Sequence, residues 1–329
     1  MKLLVYSIVD EGERVLYQKM ADELGIDITM VPDIPTMETL KLADDADYIG
    51  IITTPITRPI MEGFRDRGIK MISTRSIGVD HIDMDAARDC GIKVSHAVYA
   101  PNAVSDYAIM LMLMVNRKMK RISQRAELQD FTTPPLIRGV NMNEQTVGVI
   151  GTGRIGVEVI RSLAGFGCRI LAYSLHENEK VKGLAEYVPL ETLYRESDII
   201  TLHTALTDDN FHFLNAEAFS LMKDGVRIIN TARGGLIDSE ALIAAIRSGK
   251  VGGAGLDCIE DEFDLYYYDL SDKPLENKYL PVLRSFPNVI VTPHMAYFTN
   301  RTIYDSIESV IRSGYLDAQG LPNPYLVQG

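Results

Sequence analysis

The chain has 329 residues, more than one hydrophobic core comfortably organises, so two domains are expected. With 46% apolar and 24% charged residues it has a globular composition, and a diffuse net charge of −12 without a long lysine or arginine run argues against a nucleic-acid surface. Three scattered cysteines (Cys90, Cys168, Cys258) lack metal-ligand spacing and point to a reducing, cytoplasmic setting with no metal site. The opening MKLLVYSIVDEGE turns acidic too soon for a signal peptide, and the longest apolar run, 108–115, is too short to cross a bilayer.

In chain order, β-branched runs at 2–7, 28–31, 48–52, 70–74 and 93–96 predict strands. Helical patterns at 11–24 and 84–90 lie between them, the second stopped by Gly91. Pro101 then opens a helical stretch over 102–119 with the centre YAIMLMLMV. Apolar on nearly every face, that stretch suits a core and could also pack against a second subunit. The alternation resumes with strands expected at 146–150, 168–173, 198–202, 226–230, 254–258 and 289–291. Helices among them stop at Phe166–Gly167, Gly225 and Gly249, and a last helix is expected over 302–314. Strands alternating with helices imply doubly wound parallel sheets in two α/β domains. One domain is expected to comprise 1–99 and 298–329, with the other, 100–297, inserted into it.

The segment TVGVIGTGRIG places Gly151, Gly153 and Gly156 directly after a strand and at the start of a helix. Gly151 suits the tight turn, Gly153 the close approach of a pyrophosphate, and Gly156 the packing of helix on strand; the helix N-terminus offers orphan N–H groups to the phosphates. An acid that would hold the adenosine ribose is expected at the end of the next strand. In ILAYSLHENEK that position is Ser174, and Glu177 lies beyond it.

Three ionisable side chains follow strand ends of the same domain. Arg233 lies in IINTARGGLID, Glu262 after the strand that leads into Asp257, and His294 in TPHMAYF. An arginine there suits an anionic ligand, because its planar fork binds a carboxylate with two parallel hydrogen bonds. Histidine transfers protons near neutral pH, and an adjacent carboxylate favours its charged form.

These motifs resemble the D-isomer-specific 2-hydroxyacid dehydrogenases over nearly the whole chain. GTGRIG resembles the family's cofactor loop, NTARGGLID its signature NTxRGxLxD, AGLDCIEDE its aspartate–glutamate segment and TPHMAYFT its histidine segment. STRSIGVDHIDM resembles the substrate-carboxylate loop, and VYAPNAVSDYA the hinge leading into the long dimer helix. Within the family, STRSIGVDHIDM, DYAIMLMLM, FGCRILAYS and DLYYYDLSDKPLEN look most like D-lactate dehydrogenases of the vancomycin-resistance type.

The resemblance implies a Rossmann dinucleotide-binding domain inserted into a flavodoxin-like substrate domain. It implies catalysis by Arg233, Glu262 and His294, with substrate contacts from Ile77, Gly78, Tyr99, Arg233 and Tyr297. The cofactor would meet Gly151, Gly153, Arg154, Ile155, Gly156, Ser174, Thr204, Ala205, Asn210, Thr231 and Ala232, with Asp257 at the nicotinamide end. His203-Thr204-Ala205 departs from the His-x-Pro of many members, and Thr53–Thr57 (TTPIT) lacks the aromatic residue of some lactate-type members. The expected reaction is NAD- or NADP-dependent reduction of a small 2-keto acid, pyruvate or larger, to the D-2-hydroxy acid by a homodimer. Neither nucleic acid nor membrane is an expected partner. A hydroxypyruvate or glyoxylate reductase is the alternative within enzymes, and a cofactor-sensing regulator on the same fold the alternative outside them.

Overall fold

A computed structural model describes residues 1–262, 265 and 269–327. The chain divides into two compact units, one of 1–100 with 298–329 and one of 101–297.

The first unit opens with β1 (Lys2–Val5), α1 (Glu11–Leu24), β2 (Asp27–Met30), β3 (Tyr48–Ile51) and α2 (Arg58–Asp66). It continues through β4 (Met71–Thr74), α3 (Met84–Cys90) and β5 (Lys93–Ser95). Asp10 and Asp83 cap α1 and α3 by accepting from the Glu13 and Ala86 amides, and Gly25 and Gly91 end these helices at φ 64° and 67°. All strand pairs are parallel, in the order β2-β1-β3-β4-β5. That is the flavodoxin-like order, and every residue of β3 and β4 is buried because helices cover both faces.

The second unit begins with α4 (Asn102–Asn116) and α5 (Met119–Glu127), then β6 (Thr146–Ile150), α6 (Arg154–Ala164), β7 (Arg169–Tyr173) and β8 (Glu186–Tyr187). It continues with α7 (Leu190–Glu196), β9 (Ile199–Leu202), α8 (Ala216–Leu221), β10 (Val226–Asn230) and α9 (Ser239–Ser248). β11 (Val251–Leu256), α10 (Leu280–Ser285) and β12 (Val289–Val291) complete it. The sheet runs β12-β11-β10-β9-β6-β7-β8, all parallel, which is the Rossmann order with one further strand. Ile228 packs with Leu193, Phe219 and Leu242 on one face, while Ile229 packs with Leu111, Met112 and Ile160 on the other. The chain then returns to the first unit as α11 (Asn300–Ala318), whose Ile307, Val310 and Ile311 join Leu3, Val5 and Tyr48.

Several element bounds differ from the sequence reading: the first strand ends at Val5, the helix expected to stop at Gly225 ends at Leu221, and the last helix runs from Asn300 to Ala318. The helix expected over 102–119 stops at Asn116, and Lys118 adopts φ 54° before α5 begins. Asn116 donates through Nδ2 to Val140 O, and Gly139 lies so close that a Cβ there would be 2.9 Å from Asn116 O. The strand expected at 254–258 is β11 over 251–256, so Cys258 lies beyond its end. Gly253 and Gly255 hide this strand in the sequence, because α4 lies against it: added Cβ atoms would be 2.7 Å from Val115 Cγ1 and 3.0 Å from Leu111 Cβ. The two-residue edge strand β8 was not anticipated.

Candidate active site

The order of the second sheet reverses between β6 and β9, where such sheets bind nucleotides at their carboxyl edge. Gly151 turns there at φ 94°, its N–H donates to Tyr173 O, and a Cβ would lie 2.5 Å from His203 O. A Cβ on Gly156 would lie 2.0 Å from Gly151 O, so α6 could not pack so closely on β6. Gly153 differs: a Cβ there would meet nothing within 4 Å. The space beside Gly153, in front of the first turn of α6, is what a pyrophosphate needs.

Around this loop, Tyr187 Oη donates to Thr152 Oγ1 at 2.8 Å, and Asn178 Nδ2 donates to Thr152 O at 2.9 Å. The segment after β7, beginning at half-buried Ser174, is thereby tied to the glycine turn; Glu177 is exposed. Arg154 and Ile155 occupy the first turn of α6. His203 pairs through Nε2 with Thr201 Oγ1 at 2.8 Å, and desolvation pushes its pKa down to about 3, so it is a neutral packing group at neutral pH. After it, Asn210 Nδ2 donates to Ala205 O while Thr207 N donates to Asn210 Oδ1, fixing the Thr204–Ala205 loop.

Beyond β10 the backbone is shaped by Asn230, fully buried, whose Nδ2 donates to Arg233 O at 2.8 Å and whose Oδ1 accepts from Ala232 N at 3.0 Å. Gly234 packs against the loop after β11, since a Cβ would lie 2.0 Å from Ile259 O. This contact brings Arg233 within electrostatic reach of Glu262. Thr231 Oγ1 is buried with no hydrogen-bond partner among the described residues.

His294 sits after β12 at φ 53°, its N–H donating to Asp257 O and Thr292 O. Its Nδ1 is 3.3 Å from Glu262 Oε1; an ionised carboxylate has no proton to give, so Nδ1–H donates. Glu262 Oε2 accepts from Ile259 N at 2.8 Å, which fixes the carboxylate's orientation. Burial raises the pKa of Glu262, opposed by its hydrogen bond to His294. Of the acids at 260–262 only Asp261 is exposed, and Glu260 holds His212 Nε2 and Ser239 N. The pair of acid–base side chains, an arginine and a nucleotide-type loop thus share one sheet edge.

Residues 109–296 match the family described as D-isomer specific 2-hydroxyacid dehydrogenase, NAD binding domain. A D-specific alpha-keto acid dehydrogenase of Enterococcus faecium is 43% identical over 305 residues, covering 92% of this chain and 93% of that protein. The chain belongs to the D-isomer-specific 2-hydroxyacid dehydrogenases. An aromatic 2-oxoacid reductase of Clostridium sporogenes is 41% identical over 311 residues, covering 94% of this chain and 93% of that one. Among solved structures, the Aquifex aeolicus D-lactate dehydrogenase complexed with NAD and lactic acid aligns with TM-score 0.90 at 32% identity, over 99% of both chains. This dehydrogenase is therefore an oxidoreductase with an NAD-binding domain.

Among the positions expected from the resemblance, Ile77 and Gly78 lie in the first unit after β4, where Ser76 Oγ donates to Gly78 O. Tyr99 is buried in that unit, and Tyr297 closes the second. Asp257, expected at the nicotinamide, is 1% exposed, and both its oxygens are engaged by the His294 loop. Thr292 Oγ1 donates to its Oδ1 at 2.5 Å, Met295 N to Oδ1 at 2.9 Å and Ala296 N to Oδ2 at 2.8 Å. Sequence reading missed this clamp, and it missed Asn230; an amide closing a strand two residues before a turn was the available signal. It also missed Cys258, whose Sγ lies 3.5 Å from His294 Nδ1 across 36 residues of sequence.

Proposed function

We propose that the enzyme uses NADH to reduce a 2-oxo acid to its D-2-hydroxy acid, with Arg233, Glu262 and His294 as catalytic residues. The observation that carries this reading is the Glu262–His294 pair on the sheet edge that also presents Arg233 and the Gly151–Gly156 turn. The residues present suit the dinucleotide. Gly153 leaves space for phosphate, the α6 N-terminus favours its charge, and buried Thr231 Oγ1 has hydrogen-bonding capacity to offer. Arg154, Ile155, Ser174, Thr204, Ala205, Asn210 and Ala232 complete the proposed cofactor contacts.

Bound NADH supplies the hydride. Arg233 holds the substrate carboxylate and polarises the neighbouring keto oxygen. His294 donates its Nε2 proton to that oxygen as charge develops, while Glu262 holds the opposite ring nitrogen and orients the imidazole. Asp257 fixes the loop on which His294 sits, and in this reading Ile77, Gly78, Tyr99 and Tyr297 contact the substrate. The relatives' aromatic and alpha-keto acid substrates extend the expected range from pyruvate to larger 2-oxo acids.

Half-buried Leu113 and Met114 and exposed Met110 on α4, with Met119 and Ile122 of α5, leave an apolar groove that supports a homodimer. The cysteines form no disulfide, and no described helix is long and apolar enough to cross a membrane, which supports a cytoplasmic enzyme. The test is a panel of 2-oxo acids assayed with NADH and NADPH, with the product's configuration determined. An L-product, or no turnover of any 2-oxo acid, overturns the reading; preference for glyoxylate or hydroxypyruvate reassigns the substrate.

A further inference from the structure

We propose that Cys258, Glu262 and His294 form a binding site for a soft divalent cation of the zinc class, and that its occupancy takes His294 out of catalysis. Donor atoms of these three side chains all lie within 4.8 Å of one another. Two of the separations, those from His294 Nδ1 to Cys258 Sγ and to Glu262 Oε1, have the length of edges of a coordination tetrahedron. With sulfur about 2.3 Å and nitrogen or oxygen about 2.0–2.1 Å from a zinc ion, tetrahedral angles put sulfur and nitrogen about 3.6 Å apart, and nitrogen and oxygen about 3.3 Å apart. The distances from His294 Nδ1 are 3.5 Å to Cys258 Sγ and 3.3 Å to Glu262 Oε1. Sγ is also 3.9 Å from Nε2, where an ion on the Nδ1 lone pair would set it about 5 Å away, so the imidazole must turn its Nδ1 lone pair toward the sulfur as the ion binds.

The donor types select the cation. Thiolate and imidazole suit zinc-like ions and disfavour magnesium or calcium, which take oxygen ligands. Charge is balanced as well: the ion displaces the thiol proton to solvent, and its two positive charges meet one thiolate and one carboxylate. Cys258 and Glu262 are buried, whereas the His294 side chain is about a quarter exposed, at 26%, which gives an ion an approach from that side. Ile259 N already orients the carboxylate through Oε2 and leaves Oε1 toward the ring, an outer-shell support of the usual kind. The charge of Arg233 acts on Glu262 and opposes the cation, so the site suits reversible, moderate binding.

Coordination at Nδ1 replaces the proton that Glu262 holds there. Inhibition follows only if His294 is the acid–base group, so that half rests on the proposed function; binding itself does not. The test uses the full-length enzyme carrying Cys90→Ser and Cys168→Ser, titrated with cobalt(II) as a spectroscopic probe and with zinc in the 2-oxo acid assay. One equivalent of cobalt should give a thiolate-to-metal charge-transfer band, absent from the same protein with Cys258→Ala or, as a volume-conserving check on folding, Cys258→Ser. Zinc should inhibit reversibly on addition of chelator. Cys258→Ala, active without metal, should need at least the roughly tenfold more zinc that even an outer-shell loss costs. No band, a band that survives both Cys258 substitutions, or equal zinc sensitivity in Cys258→Ala overturns the site. A Cys258-dependent band without inhibition upholds the site and overturns the inhibitory half, so failure of the catalytic reading is read separately from failure of the site.

Discussion

Replacing Gly153 by alanine should separate folding from cofactor binding. Gly153 is the N-cap of α6 at φ −70° and ψ −165°, a conformation open to any residue, and an added methyl meets nothing within 4 Å. Restricting the unfolded chain should stabilise by about 0.4–1 kcal/mol. Alanine is a worse N-cap than glycine, which costs about 0.5–1 kcal/mol, so the two effects nearly cancel. The melting temperature should therefore stay within about 2–4 °C of the parent. Binding should respond very differently, because the methyl occupies the space proposed for the pyrophosphate. Loss of one charge-assisted hydrogen bond from a backbone amide is worth about 1.5–3 kcal/mol, a roughly ten- to hundredfold weaker NADH affinity. The assay is NADH fluorescence titration beside thermal unfolding. Gly156→Ala is the contrast: its methyl would sit 2.0 Å from Gly151 O, so that variant should lose stability. Unchanged NADH affinity in Gly153→Ala would refute the placement of the pyrophosphate.

His294→Gln should lower turnover by about 10²–10⁴, with NADH affinity little changed, and near-normal turnover in steady-state kinetics removes His294 from the mechanism. Arg233→Lys keeps the charge and loses the fork, so KM should rise and kcat fall together; a lysine variant as good as the parent rejects the clamp. Glu262→Gln keeps the side-chain shape but loses the carboxylate that holds His294 Nδ1, so turnover should fall while NADH affinity changes little; unchanged turnover counts against the pair. Light scattering should report a dimer, and a stable monomer rejects the α4–α5 interface.

Signals carried by local backbone demands were legible in the sequence. The turn at Gly151 and the close packing at Gly156 can be met by few residues, so the glycine spacing announces both. Arg233, Glu262 and His294 follow β10, β11 and β12, and alternating strands and helices fix which strand ends share an edge. What escaped depends on distant partners. β11 is rich in glycine because α4 lies on it, and no local propensity reports that. The break at Lys118 has neither proline nor glycine to mark it, and it coincides with the 139–140 segment that binds Asn116. The Cys258–His294 approach joins loops after two different strands, so spacing within either loop says nothing of it.

Cofactor preference turns on Ser174. It follows β7 directly, where an acid would bond the ribose hydroxyls and repel a 2′-phosphate. Serine donates a hydrogen bond and repels nothing. Two unit charges about 4 Å apart repel by about 1 kcal/mol in water and about 4 kcal/mol at an effective dielectric of 20, so an acid here is worth roughly five- to several-hundredfold against NADPH. Glu177 offers little substitute, being exposed, while Asn178 ties the segment to Thr152 O. His176 and Lys180 are exposed too, and no arginine adjoins Ser174 in the sequence ILAYSLHENEK to favour the phosphate positively. The enzyme should therefore use both cofactors, with NADPH accepted far better than an acid at 174 would permit. Ser174→Asp should raise the KM for NADPH by that factor in steady-state assays and leave the KM for NADH similar or lower. A parent enzyme that already discriminates against NADPH by about a thousandfold, near 4 kcal/mol, would place the exclusion on another residue and defeat this reading of Ser174.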